Sequence, residues 1–145
     1  MTYEQWIARV PDVLRRQSVW RVTAYRNSSY LAACVAKDVV PILGDLRFTK
    51  NIPQLVEAVG SIGANIWEGY GRRSRADRVK FYEYAYSPAG ESMHWYTAVS
   101  VAMSQDLLVE RAEQLAEICR LLLTMMHNER RGGGWNDSRP GRAPG

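Results

Sequence analysis

Apolar residues recur at helical spacing along most of the chain. Ile52, Leu55, Val59, Ile62, Ile66 and Gly69 follow a 3-4-3-4-3 rhythm. Phe81, Ala85, Pro88, Ser92, Trp95, Val99 and Ala102 follow 4-3-4-3-4-3, and Leu108, Ala112, Leu115, Cys119, Leu122 and Met126 follow 4-3-4-3-4. An earlier stripe of smaller residues, Val22, Tyr25, Ser29, Ala32, Ala36 and Val39, has the same spacing. Each rhythm puts its members on one face of an α-helix, and such seams are what packing in a helical bundle requires. Four helices are predicted, over 18–40, 50–70, 75–104 and 107–130. No strand-like alternation of useful length is present. The fold class is all-α, an antiparallel four-helix bundle over residues 18–131.

The breaks agree with the seams. Pro41 and Gly44 end the first helix, and Pro53 falls in the first turn of the second, where a missing N–H does little harm. Gly69 and Gly71 end the second helix. Ser74 followed by Asp77 is a capping-box-like start to the third, with the acid at the positive helix end. Connections this short favour antiparallel neighbours. A short amphipathic piece (Trp6, Ile7, Val10, Val13, Leu14), interrupted by Pro11, forms an N-terminal extension over 1–17. Packing on the bundle and packing on a partner are both open for it. Residues 132–145 hold five Gly and two Pro with Arg139 and Arg142, the composition of a disordered tail.

Two irregularities carry a physical cost. Pro88 lies inside the third helix, removes the bond to the Tyr84 carbonyl, and is expected to kink or break the helix at about 3 kcal/mol. Gly60 and Gly63 lie beside the seam of the second helix at about 1 kcal/mol each against Ala. Close approach of another backbone, within the bundle or across a subunit interface, would offset that.

Composition narrows the class. The 145 residues are enough for one domain with its own core, and 46% apolar with 23% charged is ordinary for a soluble protein. No run approaches the roughly 20 apolar residues a membrane span needs. The N-terminus, with an acid and no apolar stretch, does not read as a signal peptide. Cys34 and Cys119 sit far apart in helical patterns and read as buried, reduced thiols, which fits a cytoplasmic location.

Charge places the candidate chemistry. The net charge is +4, and all but three of the 19 cationic residues are Arg, the better fork for phosphates. Arg72, Arg73, Arg75, Arg78 and Lys80 fall within nine residues and are opposed only by Asp77, a local excess equal to that of the whole chain. The cluster sits on a turn between two helices, so it projects from one end of a bundle. Phosphate contacts there give salt-dependent, largely sequence-independent binding of RNA or DNA. Tyr70 and Tyr82 are the aromatics beside it that base stacking would use. No catalytic set stands out. Glu91 and His94 make one Glu-x-x-His pair, whereas a di-metal bundle needs two plus a carboxylate from each remaining helix. Glu68 supplies one carboxylate at most. No nucleophile elbow or P-loop is present, and no cofactor or metal is expected.

The stretch Ala58-Val59-Gly60-Ser61-Ile62-Gly63-Ala64-Asn65-Ile66-Trp67-Glu68-Gly69-Tyr70-Gly71-Arg72 resembles the S-I-x-x-N-I-A-E-G-x-G-R signature of the four-helix-bundle proteins encoded in ribosomal RNA intervening sequences. Phe81, Ala85 and Glu91 fall where that family continues F-L-x-x-A-x-G-S-x-x-E. The family is related in fold to the accessory variability protein of diversity-generating retroelements. The resemblance implies an antiparallel bundle assembled as a homopentameric ring with no known enzymatic activity. In the retroelement branch it implies a basic surface that binds nucleic acid and a reverse transcriptase as partner. Asn65, Glu68 and Glu91 match the motif and are expected to form a structural polar network, joined by Arg72 across helices or subunits. Trp67 stands where the family has a small residue, and Ser87-Pro88 where it has Gly-Ser. An indole and a kink there would alter the interface and with it the subunit number.

The sequence thus reads as a non-enzymatic, oligomeric nucleic-acid-binding accessory protein without membrane attachment, an electrostatic adaptor acting through Arg72, Arg73, Arg75, Arg78 and Lys80. The alternative is a homo-oligomeric protein–protein scaffold that uses the Trp-rich surface and the N-terminal segment. A third, remoter reading is a metal-dependent enzyme using Glu68, Glu91 and His94.

Overall fold

A computed structural model describes residues 1–132. The expected tail, apart from Gly132, therefore lies outside the described residues. Two short helices, α1 (Tyr3–Ile7) and α2 (Asp12–Arg15), precede a 3-10 turn at Ser18–Arg21. Four long helices follow: α3 (Thr23–Asp38), α4 (Asn51–Tyr70), α5 (Arg75–Val99) and α6 (Gln105–Arg130). The predicted bounds differ mainly where a 3-10 turn replaces a helix end; α4 also starts one residue later and α6 two residues earlier than predicted. Ser18–Arg21 leads into α3, and Ser100–Ala102 follows α5. Further 3-10 turns at Val40–Ile42 and Leu46–Phe48 fill the α3–α4 connection and bury Ile42 and Phe48.

The helices pack in a closed square, α3 against α4, α4 against α5, α5 against α6, and α6 back against α3. Their directions alternate. Gly69 near the end of α4 lies against Phe81 and Tyr82 near the start of α5, Arg78 at the start of α5 pairs with Glu129 at the end of α6, and Asp38 at the end of α3 pairs with Arg111 early in α6. The bundle therefore has two distinct ends. One holds the α4–α5 turn, the start of α3 and the end of α6. The other holds the α3–α4 and α5–α6 connections.

The α4 seam is buried as the spacing predicts, Leu55, Val59, Ile62 and Ile66 completely so. Of the predicted α3 seam only the two flanking residues, Val22 and Val39, are buried. Tyr25, Ser29 and Ala32 are half-buried and Ala36 is exposed, while Ala24, Ser28, Leu31 and Val35 face the core with Tyr30 and Cys34 beside them. The two registers share their spacing, and the one presenting Leu31 and Val35 removes more apolar area from water. In α5 and α6 the predicted stripes lie partly at the edge. Phe81, Trp95, Leu108, Ala112 and Cys119 are half-buried, and Tyr82, Tyr96, Ile118 and Met125 take the inner positions.

Pro88 does not break α5. The helix runs through it with Pro88 buried, and the Ser92 hydroxyl donates to the Pro88 carbonyl at 2.7 Å. The N-terminal segment folds back on the bundle. Tyr30 donates its hydroxyl to the Met1 carbonyl at 2.8 Å. Tyr3, Trp6 and Tyr30 meet ring to ring, Trp6 stacks on Trp20, Trp20 meets Tyr25, and Tyr25 meets the edge of Trp67 at 5.5 Å. This ladder of rings fixes the segment to α3 and α4 and occupies most of the Trp-rich surface. Among the described residues no helix is long and apolar enough to cross a membrane.

Candidate nucleic-acid interface

The α4–α5 turn is tight because its sequence lets it be. The Gly71 N–H caps α4 on the Trp67 and Gly69 carbonyls, and the Ser74 hydroxyl opens α5 by accepting from the Asp77 N–H at 3.0 Å. Gly69 is the close-approach point. A Cβ there would stand 2.8 Å from the Cβ of Phe81 and 3.0 Å from the Tyr82 ring. Two helices that converge so closely present the intervening residues at the bundle's end.

The five cations of the cluster do not share one fate. Arg72, Arg73 and Lys80 are exposed, and Arg75 is half-buried. Arg72 donates to Glu68 and lies over the Phe81 ring at 4.6 Å, an ion pair and a cation–π contact that hold its guanidinium in place. The Arg75 Nε is buried without a hydrogen-bond partner. Its side chain lines a cavity of about 470 Å³ with Ala76, Val79, Glu129, Arg130 and Gly132.

Arg78 is the correction. Its side chain is 0% exposed and cannot meet a phosphate. Nε and Nη2 donate to the two Glu129 carboxylate oxygens at 2.8 and 2.9 Å, and Nη1 donates to the Arg72 and Arg73 carbonyls at 2.9 and 2.7 Å. A buried guanidinium needs a counter-charge and a partner for its N–H groups, and this arrangement supplies both. Arg78 acts as a brace. It ties the α4–α5 turn to the end of α6 and fixes the backbone from which Arg72 and Arg73 project.

Within one chain the expected polar network does not join two helices. Asn65 donates back along its own helix to the Ser61 carbonyl and hydroxyl at 2.8 and 3.0 Å. Glu91 accepts from the Trp95 indole at 3.0 Å. Glu68 pairs with Arg72 one turn on. These are three separate pairs at i,i+4 spacing, each satisfied locally, so none bridges two helices. Tyr70 and Tyr82 are buried in the core and offer no face to a base. His94 is exposed against Trp95, and among the described residues no three His, Cys, Asp or Glu side chains gather to hold a metal.

Sequence spacing missed what α6 brings. Arg130 and Arg131 close that helix beside the cluster, and Arg130 donates to Glu83 of α5 at 2.8 Å. They lie some fifty residues downstream (about 50), and only antiparallel packing of α6 on α5 places them here. The cations closing the last predicted helix were the available signal. At the other end a second buried cluster forms. Arg111 donates to both Asp38 oxygens at 2.7 and 3.1 Å, and Tyr96 donates to the same carboxylate at 2.8 Å. Burial, then the charge of Asp38, pushes the Tyr96 hydroxyl well up. Burial also pushes the neighbouring Cys34 thiol up, so it stays protonated and is a poor nucleophile at neutral pH.

Residues 27–128 match the family of the 23S rRNA-intervening sequence protein. No curated protein matches the chain. A crystal structure of a protein of unknown function from the S23 ribosomal protein family of Bacteroides thetaiotaomicron VPI-5482 superposes with a TM-score of 0.66 at 21% identity. The alignment covers 72% of this chain and 95% of that one, a likeness of fold. The family match spans well over half of the sequence and reaches all four long helices, and the chain belongs to the 23S rRNA-intervening sequence protein family.

Proposed function

We propose that this protein is a non-enzymatic, oligomeric nucleic-acid-binding accessory protein, an electrostatic adaptor for RNA or DNA in the cytoplasm. The observation that carries the reading is the braced turn. Arg72, Arg73, Arg75 and Lys80 stand at one end of the bundle on a backbone that Arg78 and Glu129 hold from below. Rigid presentation of several cations is what phosphate contacts need, and arginine forks fit phosphate oxygens. The family's name, which refers to 23S rRNA, supports an RNA. The resemblance to the intervening-sequence family implies a homopentameric ring, which would gather the basic ends of several copies, and that family's retroelement branch implies a reverse transcriptase as the protein partner.

The test is fluorescence anisotropy of labelled single-stranded and duplex RNA and DNA at about 50 and 200 mM salt. With four phosphate contacts per site, affinity for a single strand falls about 50-fold across that range. The triple variant Arg72→Glu, Arg73→Glu, Arg75→Glu abolishes binding. No binding to any of the four probes at low salt sinks the proposal.

A second reading, the protein–protein scaffold, is supported by the opposite end. Val40, Leu43, Leu46 and Val101 stand exposed on the two connections there, Leu46 at 90%. Apolar groups left in water at one end are a candidate contact surface. On this reading Leu46→Ser disperses the assembly in light scattering, added salt does not, and the nucleic-acid probes stay unbound.

A further inference from the structure

Resting on the nucleic-acid reading above, we infer that the site takes single strands in preference to duplex, and that Tyr84 is the platform on which a base stacks. The sequence points to Tyr70 and Tyr82, but both rings lie in the core. Tyr84, on the outer side of α5, is 48% exposed. It lies one helical turn beyond Lys80 and three residues beyond Phe81, the spacings that bring side chains together on a helix surface. Its ring meets Phe81 edge to face, with centroids 5.5 Å apart, and the other neighbour of Phe81 is the Arg72 guanidinium at 4.6 Å. Arg72, Phe81 and Tyr84 thus form a continuous row from the turn onto α5, with Lys80 alongside.

This is the pairing that single-stranded nucleic acid recognises. Cations follow the phosphates, and an aromatic face, held from one side, receives an unpaired base. The Phe81 contact holds the Tyr84 ring while the residue stays 48% exposed, so little side-chain freedom is lost on binding. A duplex keeps its bases stacked internally and offers only its phosphates. The other exposed aromatics fit less well. Trp67 already has the Tyr25 ring against it, and Tyr86 lies two residues beyond Tyr84, on another face of the helix. The acids near the row are Glu68, which pairs with Arg72, Asp77 in the first turn of α5, and Glu83, which adjoins Tyr84 and pairs with Arg130.

Anisotropy with oligo(U), oligo(dT) and blunt duplexes of the same length tests the inference on the full chain. Wild type binds the single strands more tightly than the duplexes. Tyr84→Ala weakens single-strand binding about 5- to 150-fold, the range for one stacked base, and leaves duplex binding within about twofold. Tyr84→Phe, which keeps the ring, binds like wild type. Circular dichroism reports whether the variants keep the helical fold, and Tyr84→Gln serves as a second ring-less variant. Unchanged single-strand binding in Tyr84→Ala and Tyr84→Gln overturns the inference and leaves the phosphate reading standing. Equal losses on single strand and duplex do the same. Absence of wild-type binding to every probe overturns both.

Discussion

Replacing Glu129 by Gln removes one charge and almost no volume. In the folded protein the side chains of Arg78 and Glu129 are 0% and 2% exposed, so neither charge is shared with water. Two of the Arg78 N–H groups lose a carboxylate, while Nη1 keeps the Arg72 and Arg73 carbonyls. A guanidinium left without its counter-charge in a low-dielectric interior costs about 3–5 kcal/mol. That is a fifth or more of the about 5–15 kcal/mol available to a domain. At this chain length it corresponds to a drop of about 10–16 °C in Tm. The assay is urea unfolding followed by circular dichroism, at fixed protein concentration because assembly would tie stability to it. The midpoint falls while the slope stays unchanged. Glu68→Gln, which breaks the exposed pair with Arg72, is the control and costs less than about 1 kcal/mol. The double variant Arg78→Met, Glu129→Leu recovers only part of the stability, because neither charge then needs a partner but the Arg72 and Arg73 carbonyls lose theirs. If Glu129→Gln costs no more than Glu68→Gln, Arg78 is not a sealed brace, and the account of how the turn is held fails.

Gly69→Ala forces a methyl against Phe81 and destabilises by more than about 1 kcal/mol, whereas Gly60→Ala, which meets nothing within 4 Å, stabilises by about 1 kcal/mol in thermal unfolding. A loss at Gly60 instead would show that another subunit covers that groove of α3 and α4. Asp38→Asn takes the carboxylate from Arg111, which keeps only Gln114 and the exposed Glu110, and lowers the unfolding free energy in urea by about 3 kcal/mol, while Tyr96→Phe costs about 1.5–3 kcal/mol. Burial pushes the Tyr30 hydroxyl up to about 12, with the Cys34 hydrogen bond adding to it, and Tyr96 is pushed up as well. The folded state holds these protons more tightly than the unfolded chain. Their contribution is therefore complete below about pH 10 and drains away as pH rises through the folded values. Stability measured from pH 9 upward declines beyond about pH 10, and less steeply in the Tyr30→Phe, Tyr96→Phe double variant.

The sequence by itself determined the helices. Spacing of apolar residues places α4 within one residue of its observed bounds, and Ser74, Gly69 and Gly71 mark the turn after it, because a helix face and a cap are local properties of the chain. It also fixed the α4 seam, where Ile52, Leu55, Val59, Ile62 and Ile66 leave one apolar register. In α3 two registers compete, and the choice of Leu31 and Val35 over Tyr25 and Ala36 depends on what the neighbouring helices offer.

Tertiary structure decided the site. Five cations in nine residues look equivalent in a sequence, and nothing local separates Arg78 from Arg75. Only the end of α6, bringing Glu129 from about 50 residues away, draws Arg78 inward and leaves Arg72, Arg73 and Lys80 in water. The same packing hides Tyr82 and exposes Tyr84. A charge or a ring is assigned to the core or the surface by its partner across the bundle, and that partner is set by long-range packing, which periodicity along one helix does not encode.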